Sequence, residues 1–192
     1  MYRRLAMNDL AIAVLAAGAS RRLGTPKQLV ELDGVPLVRR VAAMCLEVEA
    51  RVGVVLGAHA PDVERALGDL QVARVHNAGW EEGIASSIRA AVAWAGDAAA
   101  LLIVLGDQPL VGSDHLRALR DAWRAGAPIV ASRYEGVLGA PALFDRSRWS
   151  LLEVLEGDQG AGKVLRGEPV IAVACEAAAV DIDTVEDLRT LR

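Results

Sequence analysis

The densest chemistry in the sequence lies in LAAGASRRLGTPKQL, residues 15–29. An apolar run stops at Ala17, and Gly18, Arg21, Arg22, Gly24 and Lys27 follow before the chain turns apolar again. Glycine admits positive φ and lets main-chain N–H groups approach a ligand closely. Several N–H groups turned inward form a nest for an anion, and Arg22 and Lys27 add positive charge. Together they suit a phosphate group. The spacing is neither GxxxxGKS/T nor GxGxxG, which disfavours a Walker-type ATPase and a dinucleotide-dependent dehydrogenase. The bland alternative is a solvated basic turn after a buried strand.

A carboxylate ends another apolar run, ALLIVLGD, residues 100–107. A carboxylate that follows buried aliphatics is costly unless a cation pairs with it. Mg²⁺ takes few carboxylates and fills its shell with phosphate oxygens and water, so Asp107 is the first choice for a metal ligand; the alternative is a turn or capping Asp ahead of Pro109. DIDTVEDL, residues 181–188, offers Asp181 and Asp183. Asp183 also fits the N-cap of a last helix, with Glu186 completing a capping-box-like pair. With no His or Cys cluster near either carboxylate, zinc is disfavoured, and His59 and His115 lack partners at ligand spacing. A third segment, HNAGWEEGIASSI (residues 76–88), places Gly83, Ser86 and Ser87 where hydroxyls and N–H groups can meet a base or ribose. Residues 77–87, Asn77 included, are expected to line a nucleotide pocket opposite the first loop, with Trp80 shielding the base. Glu81 and Glu82 read as a solvated face, and Trp94, Trp123 and Trp149 as packing.

Short apolar runs alternate with amphipathic stretches along the chain. Strands are expected at residues 11–17, 51–58, 71–76, 100–107, 128–134 and 169–175. Helices are expected at 36–50, from Pro61 to Leu67, from a Ser86 cap to Gly96, from a Ser113 cap to Ala125, at 145–156, near 161–166 and at 184–191. Near-continuous apolar strands alternating with helices mean a three-layer α/β fold, a mostly parallel sheet with helices on both faces. Such sheets bind ligands at the carboxyl ends of their strands, near the topological switch point. Both the glycine-rich loop and Asp107 follow strands at that end.

Composition agrees. Of 192 residues, 53% are hydrophobic and only 4% aromatic, so the core must be aliphatic. A net charge of −4 disfavours nucleic acid and anionic membranes as general partners, leaving any anion to a local cationic cluster. Two distant cysteines, Cys45 and Cys175, suggest a reducing cytoplasm without a disulfide framework. No run approaches the roughly 20 apolar residues of a membrane span. Residues 1–8 read as a loose leader, with Met7 an alternative start, and residues 9–192 as one domain.

The motif LAAGxSxRxGxPKxL, with HNAGWEEGIASSI, LGDQP, GAPALF, GDQGAG and DIDTVEDL behind it, resembles the nucleotidyltransferases of the molybdenum cofactor type, most closely the cytidylyltransferases, over nearly the whole chain. The resemblance implies a Rossmann-like, GT-A-type fold, a nucleoside triphosphate substrate (CTP favoured), Mg²⁺, and molybdopterin as the phosphorylated acceptor, with a molybdenum hydroxylase receiving the product. It implies that Leu15, Ala16, Ala17 and Gly18 line the nucleotide site. Arg22 and Lys27 would bear on the phosphates, Lys27 near the α-phosphate, and Asp183 would be the second metal ligand beside Asp107. Relatives usually carry serine at Ala85, a larger polar residue at Ala140 and often a basic residue at Gly162; the last two departures lie on the acceptor side. A guanylyltransferase, another phosphorylated acceptor and a non-catalytic cofactor-delivery protein are the alternative readings.

Overall fold

The computed structural model describes residues 10–20 and 26–179. The leader, Arg22, Asp181, Asp183 and the expected last helix lie outside the described residues.

The chain opens with β1 (Leu10–Ala16), buried at every position. A small antiparallel pair follows, β2 (Glu31–Leu32) with β3 (Val35–Pro36). Then come α1 (Leu37–Leu46), β4 (Val52–Leu56), α2 (Ala60–Leu67) and β5 (Ala73–His76). The central part is α3 (Ile84–Ala95), β6 (Ala100–Leu105) and α4 (Ser113–Arg124). It is followed by β7 (Ile129–Tyr134), β8 (Val137–Asp145), α5 (Trp149–Glu153), α6 (Gly162–Gly167) and β9 (Ile171–Ala174).

The large sheet has seven strands in the order β5-β4-β1-β6-β8-β7-β9. It is mostly parallel; β8 alone runs against its neighbours, β6 and β7. Alternate side chains of β1 explain the three layers. Leu10, Ile12 and Val14 face a core shared with Val41 of α1, Leu67 of α2 and Leu116 of α4. Ala11, Ala13 and Leu15 face the opposite core, shared with Ile88 of α3, Leu152 of α5 and Leu165 of α6. A strand covered on both sides can be apolar at every position, which is why the sequence reads as a continuous run there. Each large aliphatic so buried stabilises the fold by about 1.5–3 kcal/mol.

Two expected helix starts shift. Gly83, not Ser86, occupies the N-cap of α3, and Ser86 lies in the first turn with its Oγ donating to the Gly83 carbonyl at 2.8 Å. Gly112 caps α4, with Ser113 its first helical residue. In both places a glycine in non-helical conformation takes the boundary position, and the serine hydroxyl is used elsewhere.

What positions the site is the β1/β6 pairing. The two strands run parallel with Leu15 opposite Leu105, and the Gly106 N–H donates to the Leu15 carbonyl at 3.0 Å. β4 lies on the other side of β1, so strand order reverses there. The chain leaves β1 and β6 side by side, one into the glycine-rich loop, the other into Asp107.

Candidate functional site

A cleft of about 950 Å³ opens at this switch point, at the upper end of the size range of small-molecule sites. Of the residues expected from sequence, Leu15, Ala16, Ala17, Gly18, Lys27, Gly83, Ser87 and Asp107 line it. The N–H groups of Gly18, Ala19 and Ser20 donate to no described residue, and all three residues border the cleft. Amides so placed are what an anion nest requires. Gly57 supports the loop from behind: a Cβ there would stand 2.5 Å from the Ala17 carbonyl oxygen, which accepts from the Ala58 N–H at 3.2 Å.

Asn77 and Ser86 do not line the cleft. Asn77 is buried, its Nδ2 donates to Ser86 Oγ at 2.8 Å and Ser87 Oγ at 3.1 Å, and its Oδ1 accepts from the Gly79 N–H at 3.0 Å. Its side chain is thus spent on bracing the turn before α3, where losing a buried partner costs about 1–3 kcal/mol. Only Ser87 of that trio reaches the cleft wall.

Trp80 also borders the cleft, as do Glu81 and Glu82, which the sequence reads as a solvated face. Glu82 is held in place: Arg89 Nη2 lies 2.5 Å from its Oε2, and the Gly157 N–H donates to its Oε1 at 3.4 Å. The Arg89 hydrogen bond keeps the Glu82 carboxyl below the ordinary carboxylate range despite the small opposing effect of desolvation. Arg89 also donates to the Leu155 carbonyl, joining the turn before α3 to the segment after α5.

That junction is tight. The Ala85 N–H donates to the Gly157 carbonyl at 3.1 Å, and Asp158 reaches the cleft wall beside Gly83. Gly83 has φ +122, and a Cβ there would run into the Gly157 carbonyl and lie 2.6 Å from Asp158 Oδ1. The backbone conformation and the lack of space both demand glycine. Gly83→Ala is therefore expected to destabilise the protein by about 1–3 kcal/mol and to raise the nucleotide KM about tenfold by parting the two segments. Denaturant midpoints and initial rates measure the two effects; an unchanged midpoint contradicts the close contact.

Three residues of consequence were not singled out from sequence. Gln28 is buried against the loop after β1. Gln108, next to Asp107, is fully buried with its Nε2 donating to the Ala178 carbonyl at 2.8 Å. Asp158 sits in GDQGAG, a stretch assigned only to the acceptor side. For the two glutamines the available signal was a polar residue directly after a candidate ionic residue, Lys27 or Asp107; Asp158 had no such signal.

The oxygen donors fit a hard cation. Among the described residues, Asp107, Asp158, Glu81 and Glu82 supply the carboxylates of the cleft, and no His or Cys lines it. Among the described residues no group of three or more His, Cys, Asp or Glu side chains converges on one point. An ion held by these described residues would need further oxygens, such as those of a substrate, the habit of Mg²⁺ at phosphate sites. The histidines stand apart from the cleft wall. His115 Nε2 is 2.8 Å from Ser132 Oγ, and burial lowers its pKa; His59 Nε2 is 3.4 Å from the Ala19 carbonyl.

The profile of the MobA-like NTP transferase domain matches residues 12–185. The chain belongs to the MobA-like NTP transferase family. This family member is a nucleotidyltransferase, acting on a nucleoside triphosphate and a phosphorylated acceptor. It is 28% identical over 200 residues to the purine catabolism protein PucB of Bacillus subtilis (strain 168), with 93% of each chain covered. Among solved structures it is similar to Rv0371c of Mycobacterium tuberculosis H37Rv, with a TM-score of 0.84, 31% identity and 97% and 98% of the two chains covered. Rv0371c has also been crystallised with manganese, and that structure matches at a TM-score of 0.80 and 28% identity, covering 96% of this chain and 98% of the other. The molybdopterin-guanine dinucleotide biosynthesis protein A of Archaeoglobus fulgidus shares the fold at a TM-score of 0.71 and 22% identity, covering 94% and 95%. Among the described residues no helix of the MobA-like protein is long and apolar enough to cross a membrane.

Proposed function

We propose that this nucleotidyltransferase moves CMP from CTP to the terminal phosphate of the molybdopterin cofactor, releasing pyrophosphate, with Mg²⁺ as the metal and a molybdenum hydroxylase as the recipient of the product. The observation that carries the chemistry is the meeting of the Gly18–Ser20 amides, Lys27 and Asp107 in one cleft. The choice of cytidine rests on the resemblance of LGTPKQL, GDQP and HNAGWEEG to the cytidylyl branch. The manganese complex of Rv0371c supports a divalent ion.

An oxygen of the acceptor phosphate attacks the α-phosphorus. The new P–O bond forms as the bond from the α-phosphorus to the bridging oxygen of the β-phosphate breaks, and pyrophosphate carries that electron pair away. Both reactants are polyanions, so the protein contributes mainly by positioning them and offsetting their charge. The loop amides and Arg22 hold the triphosphate. Lys27 lies against the α-phosphate, where negative charge builds as a fifth oxygen approaches. Asp107, with Asp183, would hold Mg²⁺, and the ion would supply charge neutralisation on the phosphate oxygens. Trp80, Gly83, Ile84 and Ser87 enclose the base.

A second reading, transfer to a different phosphorylated acceptor, draws on the segments that the resemblance assigns to the acceptor side. Ala140 and Gly162 replace larger or basic residues of relatives. Beside Gly162, Lys163 donates to Gln159 Oε1 at 2.8 Å, and Glu82 and Asp158 put carboxylates on the cleft wall. Such carboxylates suit N–H donors on the part of the acceptor that lies beyond its phosphate.

Pyrophosphate release followed with a panel of nucleotides and molybdopterin tests both readings. A pocket that satisfies cytosine leaves polar groups unpaired when guanine enters, at about 1–3 kcal/mol each. The kcat/KM for CTP is expected to exceed that for GTP by at least ~30-fold. Equal rates remove the cytidylyl assignment, and no release with either nucleotide points to another acceptor.

A further inference from the structure

We propose that Gln28 is a positioning residue for nucleotide binding: its side-chain amide closes the neck of the loop after β1 and holds the backbone there ready for an anion. This rests on reading that loop as the phosphate site.

Gln28 is only 5% exposed, and its whole amide is engaged. Nε2 donates to the Ala16 carbonyl at 3.1 Å and to the Gly18 carbonyl at 2.9 Å. Oε1 accepts from Ser20 Oγ at 3.3 Å, and the same Ser20 oxygen accepts from the Lys27 N–H at 2.9 Å. The two ends of the loop, residues 16–20 and 27–28, are thereby tied through one planar group. Few side chains can do this. Glutamate lacks the donors, lysine and arginine lack the acceptor, and asparagine is one methylene shorter.

The consequence for a ligand follows from peptide planarity. The C=O and N–H of a trans peptide point in opposite directions. With the Gly18 carbonyl turned to Gln28, the Ala19 N–H is turned away from it. With the Ala17 carbonyl taken by the Ala58 N–H, the Gly18 N–H is turned away from Ala58. These N–H groups donate to no described residue and belong to residues that border the cleft. Ser20 has φ +48, a conformation that a non-glycine residue keeps only where its surroundings over-determine it. The two hydrogen bonds on its hydroxyl are those surroundings.

Without the clamp, the loop is receptive for only part of the time, and apparent affinity falls by that fraction. The bound state is unchanged, so turnover at saturation is retained. This differs from the behaviour expected of a group that touches the reacting phosphorus.

Two variants test this, Gln28→Met, which keeps the length but no polar atom, and Ser20→Ala, which removes only the hydroxyl. Each is assayed well below its own Tm for CTP turnover and, by calorimetry, for binding of inorganic tripolyphosphate. Gln28→Met is expected to raise the KM for CTP and the Kd for tripolyphosphate about tenfold, with kcat within about threefold of the parent. Ser20→Ala is expected to raise both constants about threefold by the same mechanism, and it carries the test if Gln28→Met does not fold. Unchanged KM and Kd overturn the proposal, and so does a fall in kcat at constant KM. If the parent protein itself binds no tripolyphosphate in competition with CTP, the phosphate-loop reading fails and Gln28 loses its role with it; the parent alone reports that outcome.

Discussion

Asp107→Asn lowers turnover at saturating nucleotide by more than ~100-fold while leaving the fold intact; this is the expected result. Asparagine matches aspartate in size and keeps one acceptor oxygen, but it removes the negative charge that draws a hard cation to the end of β6. Asp107 is partly exposed, and the turn that carries it is fixed by main-chain contacts, the Gly106 N–H on the Leu15 carbonyl among them. Thermal denaturation is therefore expected to superimpose on that of the parent. Mn²⁺ binding, measured by calorimetry in the presence of nucleotide, is expected to weaken in parallel with the loss of rate. Near-normal Mg²⁺-dependent turnover in the variant defeats the assignment, because no charge at this position would then be needed.

Lys27→Ala is expected to lower the single-turnover rate by about 100-fold and to change nucleotide affinity far less. The reason is the timing of charge. A cation that lies against the α-phosphate is worth most as that phosphorus accepts its fifth oxygen, so its loss is felt in the transition state more than in the ground state. The bond to Ser20 Oγ comes from the Lys27 main chain, so the substitution keeps it. Arg22→Ala is the contrast, expected mainly to weaken triphosphate binding. A parent-like single-turnover rate for Lys27→Ala with a raised dissociation constant exchanges the two roles. Loss of the Gln28 clamp also raises KM, but saturating CTP restores its rate, whereas saturation does not rescue Lys27→Ala.

Much of the architecture was legible in the residues. The run through Leu15 and the run through Leu105 are apolar at every position because each strand is covered on both faces, and such runs belong to parallel sheets. Within the described residues the helices followed from their spacing, and glycines beside cations singled out the first loop. The rule that ligands gather at the carboxyl ends of strands then sufficed to bring that loop and Asp107 to the same edge. These are local patterns, each written within a few residues.

Tertiary structure decided what depends on residues far apart in the chain. No local pattern places β8 antiparallel between β6 and β7; only the pairing of Leu102 with Leu143 and of Val130 with the same Leu143 does so. Glu82 reads as one more surface charge until Gly157, 75 residues on, donates to it. Gln108 reads as a loop residue until Ala178, 70 residues on, accepts its amide. Asn77 has the composition of a ligand contact, but the two serines that fold back over it take its hydrogen bonds. A side chain's type sets the bonds it can form, whereas its partners are set by which segments the closed sheet brings together. The sequence by itself therefore determined the three layers, the loop and the strand ends where chemistry belongs; the packing of distant segments determined which polar residues face the cleft and which hold its walls.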